Sequence, residues 1–201
     1  MIIVISPAKT LDLSEDTRYI EDYSIPQYLE DSQELVGQLS QMTKPEIGKL
    51  MSISEDLATL NHQRYQEFVL PFHPQNAKQA LMTFNGDVYR GFDLSAYNEE
   101  DFDFAQDHLR ILSGLYGLLT PLDLIQPYRL EMGTRLKNTR GKDLYAFWGD
   151  KLKHELEASL ESHDAKVLIN LASHEYNKVL QLTRFGHSVI TPAIKEISDG
   201  G

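Results

Sequence analysis

The chain has 201 residues, with 19 Lys+Arg against 30 Asp+Glu for a formal net charge of −11, and 41% of its residues are apolar. This is the composition of a globular protein of one domain that can bury its own core. It contains no cysteine, which excludes thiolate catalysis, cysteine-ligated metal centres and a disulfide scaffold, and fits a reducing compartment.

No apolar run approaches the ~18 residues of a membrane span, and Met1-Ile2-Ile3-Val4-Ile5 lacks the basic start of a signal peptide. A cytoplasmic protein with no membrane partner is expected. The acidic total argues against a generic nucleic-acid coat, since phosphate affinity comes from Lys and Arg displacing counterions.

In chain order, Ile2-Ile3-Val4-Ile5 is a β-branched run that reads as a buried strand, closed by Ser6-Pro7. Residues 27–39 carry apolar side chains at helical spacing. Thr43 caps a brief helix with Pro45 in its first turn and Glu46 three residues on. Met51-Ser52-Ile53-Ser54 breaks it, and Ser54 starts a second helix through Asp56, Leu57 and Leu60. Residues 80–84 read as a second strand, and Asn98 as the cap of a helix with the stripe Phe102, Ala105, Leu109 and Leu112. Leu152, Leu156 and Leu160 mark another helix, residues 167–171 a third strand, Ser173 the cap of a helix through Leu180, and residues 188–191 a fourth strand. Strands alternating with helices predict an α/β (mixed α+β) fold with parallel strand pairs, as one domain over residues 1–201.

The charge is uneven. Residues 1–35 hold two basic and eight acidic side chains, whereas residues 128–142 hold Arg129, Arg135, Lys137, Arg140 and Lys142 against Glu131 alone. A basic stretch in an acidic protein is a candidate anion or phosphate contact; the competing reading is a solvated loop.

Two strand ends and one loop carry chemistry. Ser6, Lys9 and Thr10 follow the first strand, and Asn170 and Ser173 the third, where ligands of α/β sheets collect. Ser6 and Lys9 have the spacing of a nucleophile–base pair, though spacing alone favours a capping Ser and a surface Lys. Residues 112–133 pack Gly114, Gly117, Pro121 and Pro127 around Ser113, Tyr116, Tyr128, Arg129 and Glu131. This is either a tight loop serving a site or one braced by an internal Arg129–Glu131 pair.

Residues 43–61 outline a helix–hairpin–helix, a motif whose hairpin amides meet DNA phosphates without reading sequence. Ser52 and Ser54 stand where glycines are usual, and Lys44 and Lys49 are offset by Glu46, Glu55 and Asp56. The alternative is an ordinary helical hairpin. The seven histidines include no HExxH and no pair four apart, so no metal site and no cofactor is expected. Asp101, Asp103 and Asp107 read as a solvated helix face.

Several of these segments together resemble the peroxide stress resistance protein YaaA family. They are Ser6-Pro7-Ala8-Lys9-Thr10-Leu11-Asp12, Leu50-Met51-Ser52-Ile53-Ser54, Phe84-Asn85-Gly86-Asp87-Val88-Tyr89 and Asp101-Phe102-Asp103-Phe104-Ala105-Gln106, then residues 112–133 and 140–149, and finally Ile169-Asn170-Leu171-Ala172-Ser173-His174-Glu175-Tyr176. The resemblance runs over essentially the whole chain, in order. It implies a cytosolic bacterial protein induced by hydrogen peroxide that keeps unincorporated iron low. It also implies an unusual α/β fold with a helix–hairpin–helix element, a positively charged cleft and affinity for double-stranded DNA. No established reaction comes with it. Family members run on past Gly200-Gly201 with a Lys/Arg-rich segment, so a C-terminally shortened member is implied, with DNA binding weakened to the extent that the cleft needs those cations.

The first reading is therefore a stress-protective protein that binds double-stranded DNA without sequence preference. Lys9, Lys44, Lys49, Ser52, Ser54, Arg129, Arg135, Lys137, Arg140 and Lys142 are its anion contacts. The second is an enzyme of unknown reaction, with Ser6, Lys9 and Tyr128 as catalytic candidates in a pocket completed by Thr10, Ser113, Tyr116, Glu131, Asn170 and Ser173. Direct iron sequestration by carboxylates ranks last.

Overall fold

Ile2 and Val4 are wholly shielded from solvent and Ile5 is 2% exposed, because strand β1 (Ile2–Ile5) has a hydrogen-bonded neighbour on each side. That position selects a continuous apolar run rather than alternation. The computed structural model describes residues 1–14 and 19–193. After β1 come β2 (Thr10–Leu11), α1 (Leu29–Leu39), α2 (Lys44–Met51), α3 (Glu55–Glu67), β3 (Lys78–Gln79), α4 (Ala80–Thr83), β4 (Phe84–Asn85), α5 (Asp87–Arg90) and α6 (Glu99–His108). Then follow β5 (Leu109–Ser113), β6 (Gly117–Leu119), β7 (Leu124–Ile125), α7 (Leu144–Trp148), α8 (Lys151–Glu161), β8 (Val167–Asn170), α9 (His174–Asn177) and β9 (Ser188–Ile190).

The main sheet has the order β6-β5-β1-β8-β9. β1 runs parallel to β5 and β8, β9 is parallel to β8, and only β6 is antiparallel. The expected mixed α/β fold with parallel pairs is what forms. Ile5 pairs with Ile111 and Val4 with Asn170, so the carboxyl ends of the three central strands share one edge. Ser6, Ser113 and Asn170 all lie there. Trp148, Tyr116, Leu115 and Leu119 are among the largest fully buried side chains of the core that packs on this sheet.

Three expectations need correction. Residues 80–84 are not a strand. Ala80–Thr83 is one helical turn between two-residue strands, and the Thr83 hydroxyl donates to the Gln79 carbonyl at 2.8 Å. Ala, Leu and Met favour helix, and so short an apolar run does not identify strand by period. The stripe assigned to the helix after Asn98 is also divided. α6 ends at His108, and Leu109 and Leu112 belong to β5, the chain passing from helix to strand with no loop. Finally, the helix expected from Ser173 to Leu180 is split into α9 and a 3-10 turn at Lys178–Leu180. Within α3, which forms as expected, Leu57 and Leu60 are 37% and 42% exposed, while Ala58, Asn61 and Tyr65 form the buried face.

The α2–α3 pair forms as a helical hairpin, and α3 runs on to Glu67. The Glu46 carboxylate accepts both the Thr43 N–H at 2.8 Å and the Thr43 hydroxyl at 2.7 Å. Ser52 takes the left-handed conformation, φ 53 and ψ 50, which only glycine adopts without cost. A Cβ placed on Gly48 would meet the Ala58 Cβ at 3.4 Å, so the small residues set how closely the two helices pack.

Candidate functional site

A groove of about 840 Å³ opens beside this hairpin. One wall is Met42, Glu46, Lys49, Leu50, Met51 and Ser52; the other is Glu131, Gly133, Thr134, Arg135 and Glu175. The hairpin and the central loop therefore face each other. The lining carries both signs, three glutamates with Lys49 and Arg135, where a cationic cleft was expected. Met132, Thr134 and Leu136 are buried and Gly133, Arg135 and Lys137 exposed; the chain turns at Met132–Gly133, where the Thr134 N–H donates to the Glu131 carbonyl at 3.0 Å.

Two phenols hold that loop. The Tyr65 hydroxyl of α3 donates to the Arg129 carbonyl, and the Tyr116 hydroxyl donates to the Gln126 carbonyl at 3.1 Å. Glu175 adds a third anchor by accepting the Gly133 N–H at 2.9 Å. The Trp148 indole donates to the Gly114 carbonyl at 3.1 Å. A Cβ on Gly114 would lie 2.1 Å from the Leu130 carbonyl oxygen, so only glycine fits.

Lys9, Arg129 and Glu131 come together. Lys9 Nζ lies 3.3 Å and the Arg129 guanidinium 2.8 Å from the same oxygen, Glu131 Oε1. Arg129 Nε is buried and has no hydrogen-bond partner among the described residues. Ser6 and Ser173 also meet. Ser6 Oγ accepts the Ser173 N–H at 2.9 Å and donates to the Ser173 hydroxyl at 3.3 Å. The Ser6 carbonyl accepts the Tyr89 hydroxyl at 2.8 Å, and Tyr89 reaches Tyr128 through Phe84. Ser6 and Tyr128 are thus linked through Tyr89 and Phe84. No hydrogen bond between Lys9 and Ser6 occurs among the described residues, so the proposed nucleophile–base pair is not assembled.

The remaining candidates have structural partners. Tyr128 and Ser113 are buried against each other at 2.6 Å, and Ser113 Oγ also accepts the Tyr116 N–H at 2.9 Å. Burial pushes the phenols of Tyr116 and Tyr128 above the ordinary tyrosine value and favours their neutral forms. Asn170 is 1% exposed and bonds the Ala172 N–H and the Thr191 hydroxyl. Thr10 is exposed on β2.

Among the cations, Arg140 is engaged by Asp31 and Glu34, each at 2.6 Å, and stacks over Phe147. Ser54 caps α3 through the Leu57 N–H. Lys44, Lys137 and Lys142 are exposed, outside the groove lining. Sequence reasoning passed over Met42, Met51, Glu46 and Glu175 as lining residues. Met51 and Glu175 had a signal, their places in the Leu50-Met51-Ser52-Ile53-Ser54 and Ser173-His174-Glu175-Tyr176 segments.

Comparison with known proteins bears on this arrangement. The family described as peroxide stress protein YaaA matches residues 1–201. The chain belongs to that family. A UPF0246 protein of Burkholderia cenocepacia (strain HI2424) is 51% identical over 202 residues, covering 100% of this chain and 77% of the relative. A UPF0246 protein of Burkholderia thailandensis is 50% identical with the same coverage. Membership in the YaaA family supports a role in peroxide stress. No described helix is long and apolar enough to cross a membrane.

Proposed function

We propose that the chain protects bacterial cytoplasm against peroxide by binding double-stranded DNA without sequence preference and by keeping free iron low. The supporting observation is the groove that sets the left-handed turn at Ser52 and the cation Lys49 opposite Arg135, with Lys9 and Arg129 alongside on Glu131. Turn amides and a few Lys/Arg side chains are the usual means of touching phosphates without reading bases. The mixed lining fits a weak, salt-sensitive binder.

Fluorescence anisotropy of a labelled duplex tests this. Binding at low ionic strength should weaken steeply with salt, with a log–log slope of roughly −0.9 for each phosphate contacted, and should be indifferent to sequence. Undetectable binding at low salt would overturn the DNA reading. The iron limb predicts a smaller chelatable-iron signal, by electron paramagnetic resonance of whole cells, when the chain is expressed in a peroxide-challenged strain lacking its own homologue. The enzyme reading gains no assembled catalytic pair.

A further inference from the structure

The carboxylate of Glu131 sits where two cations from different parts of the chain converge on one oxygen, Lys9 from the end of β1 and Arg129 from the central loop, at 3.3 and 2.8 Å. A phosphate oxygen accepting from Lys and Arg would be held the same way. We infer that Lys9 and Arg129 form an anion subsite at the edge of the groove, and that Glu131 is a built-in competitor that a ligand phosphate must displace. This rests on the groove being the ligand face proposed above, and it adds how binding there is restrained.

Three observations carry it. First, the Glu131 side chain is not what shapes its loop. The backbone at Gln126, Arg129 and Gly133 is already held by Tyr116, Tyr65 and Glu175. Second, the contact is easily exchanged on one side, because the Lys9 side chain is 67% exposed and an ion pair so exposed contributes little. Third, the Arg129 guanidinium keeps spare capacity. Its Nε is buried and has no partner among the described residues, and a planar guanidinium can present two parallel donors to a tetrahedral anion. Glu131 lines the open groove at 27% side-chain exposure, so a ligand can reach the oxygen it would replace.

The test titrates the full chain, Glu131→Gln and Glu131→Gln/Lys9→Gln with a duplex by anisotropy and with inorganic pyrophosphate by calorimetry. Glu131→Gln keeps a hydrogen-bond acceptor for Arg129 while removing the competing charge. It should bind both probes about 5-fold more tightly and steepen the duplex salt slope by about one. The double variant should lose that gain. Duplex binding absent throughout, with pyrophosphate binding gained by Glu131→Gln and lost in the double variant, would uphold the subsite and overturn the DNA reading. Unchanged or weaker binding of both probes by Glu131→Gln overturns the subsite, as does a gain that survives Lys9→Gln, which would mark a general loss of negative charge. If Glu131→Gln does not fold, Glu131→Asp, too short to bridge both cations, should give a smaller gain, and no gain is the overturning result.

Discussion

The hydroxyls of Tyr128 and Ser113 stand 2.6 Å apart inside the core, and Ser113 Oγ at the same time accepts the Tyr116 N–H at 2.9 Å. A chain of hydroxyl and amide thus ties the end of β5 to the loop that carries Arg129. Burial holds Tyr128 in its neutral form. Tyr128→Phe should cost about 1 kcal/mol in urea unfolding and leave duplex affinity unchanged. In ultraviolet difference titration it should remove no ionisation step near pH 10. Loss of binding with stability intact would instead give the phenol a direct role.

Asp31 gathers two cations, Arg140 at 2.6 Å and Lys151 at 2.8 Å, with its side chain 9% exposed. Burial alone pushes its carboxyl up, but the hydrogen bonds and charges of Lys151 and Arg140 outweigh this and hold it below the usual range. A depressed folded value stabilises the protein above the unfolded value of about 3.9 and loses that contribution as pH falls through the folded value. Asp31→Asn should therefore cost about 2 kcal/mol at pH 7 and flatten the stability profile below pH ~4. Chemical denaturation across pH reads both effects.

The cations named as anion contacts should separate by function. Arg135→Ala and Lys49→Ala face the groove and should each reduce the duplex salt slope by about one with little change in stability. Arg140→Ala removes a side chain already committed to Asp31, Glu34 and Phe147, so it should lower the unfolding midpoint and spare the slope. Equal slope changes for all three would refute the division.

Gly114 has no room for a methyl group, since the added carbon would lie 2.1 Å from the Leu130 carbonyl oxygen. Gly114→Ala should destabilise by about 3 kcal/mol, seen as an earlier thermal midpoint, and weaken duplex binding through displacement of the Arg129 loop.

With no cysteine present, the five methionines are the chain's only sulfur. Met42 and Met51 are half-buried in the groove wall, while Met82 is 4% and Met132 0% exposed. Under hydrogen peroxide the thioethers of Met42 and Met51 should become sulfoxides well before those of Met82 and Met132. Peptide mass spectrometry over a time course would reveal the order, and a uniform rate would contradict the burial.

The sequence was most legible where one chemical cause acted alone. The β-branched β1 and β8, the Thr43 and Ser54 caps, and the Leu152/Leu156/Leu160 stripe all formed as their residues require. It misled where two elements met without punctuation. Leu109 and Leu112 continue the three- and four-residue spacing of Phe102 and Ala105 although the backbone has already become strand. For the site, Arg129 and Glu131 were readable as a pair, being two residues apart. Lys9 as its third member, and Glu175 on the Gly133 amide, depend on strand adjacency that no local pattern encodes. The exposure of Leu57 and Leu60 has the same origin, since Asn61 and Tyr65 are polar residues buried by tertiary partners.

The place of β1 in the sheet has a consequence for biosynthesis. Its two neighbours, β5 and β8, begin at Leu109 and Val167, so β1 is translated long before either partner. Until β5 emerges, Ile2 to Ile5 offers unpaired backbone on both sides, and until β8 emerges on one. Chaperone crosslinking to nascent chains stalled before Leu109 should therefore exceed that to chains stalled after Asn170.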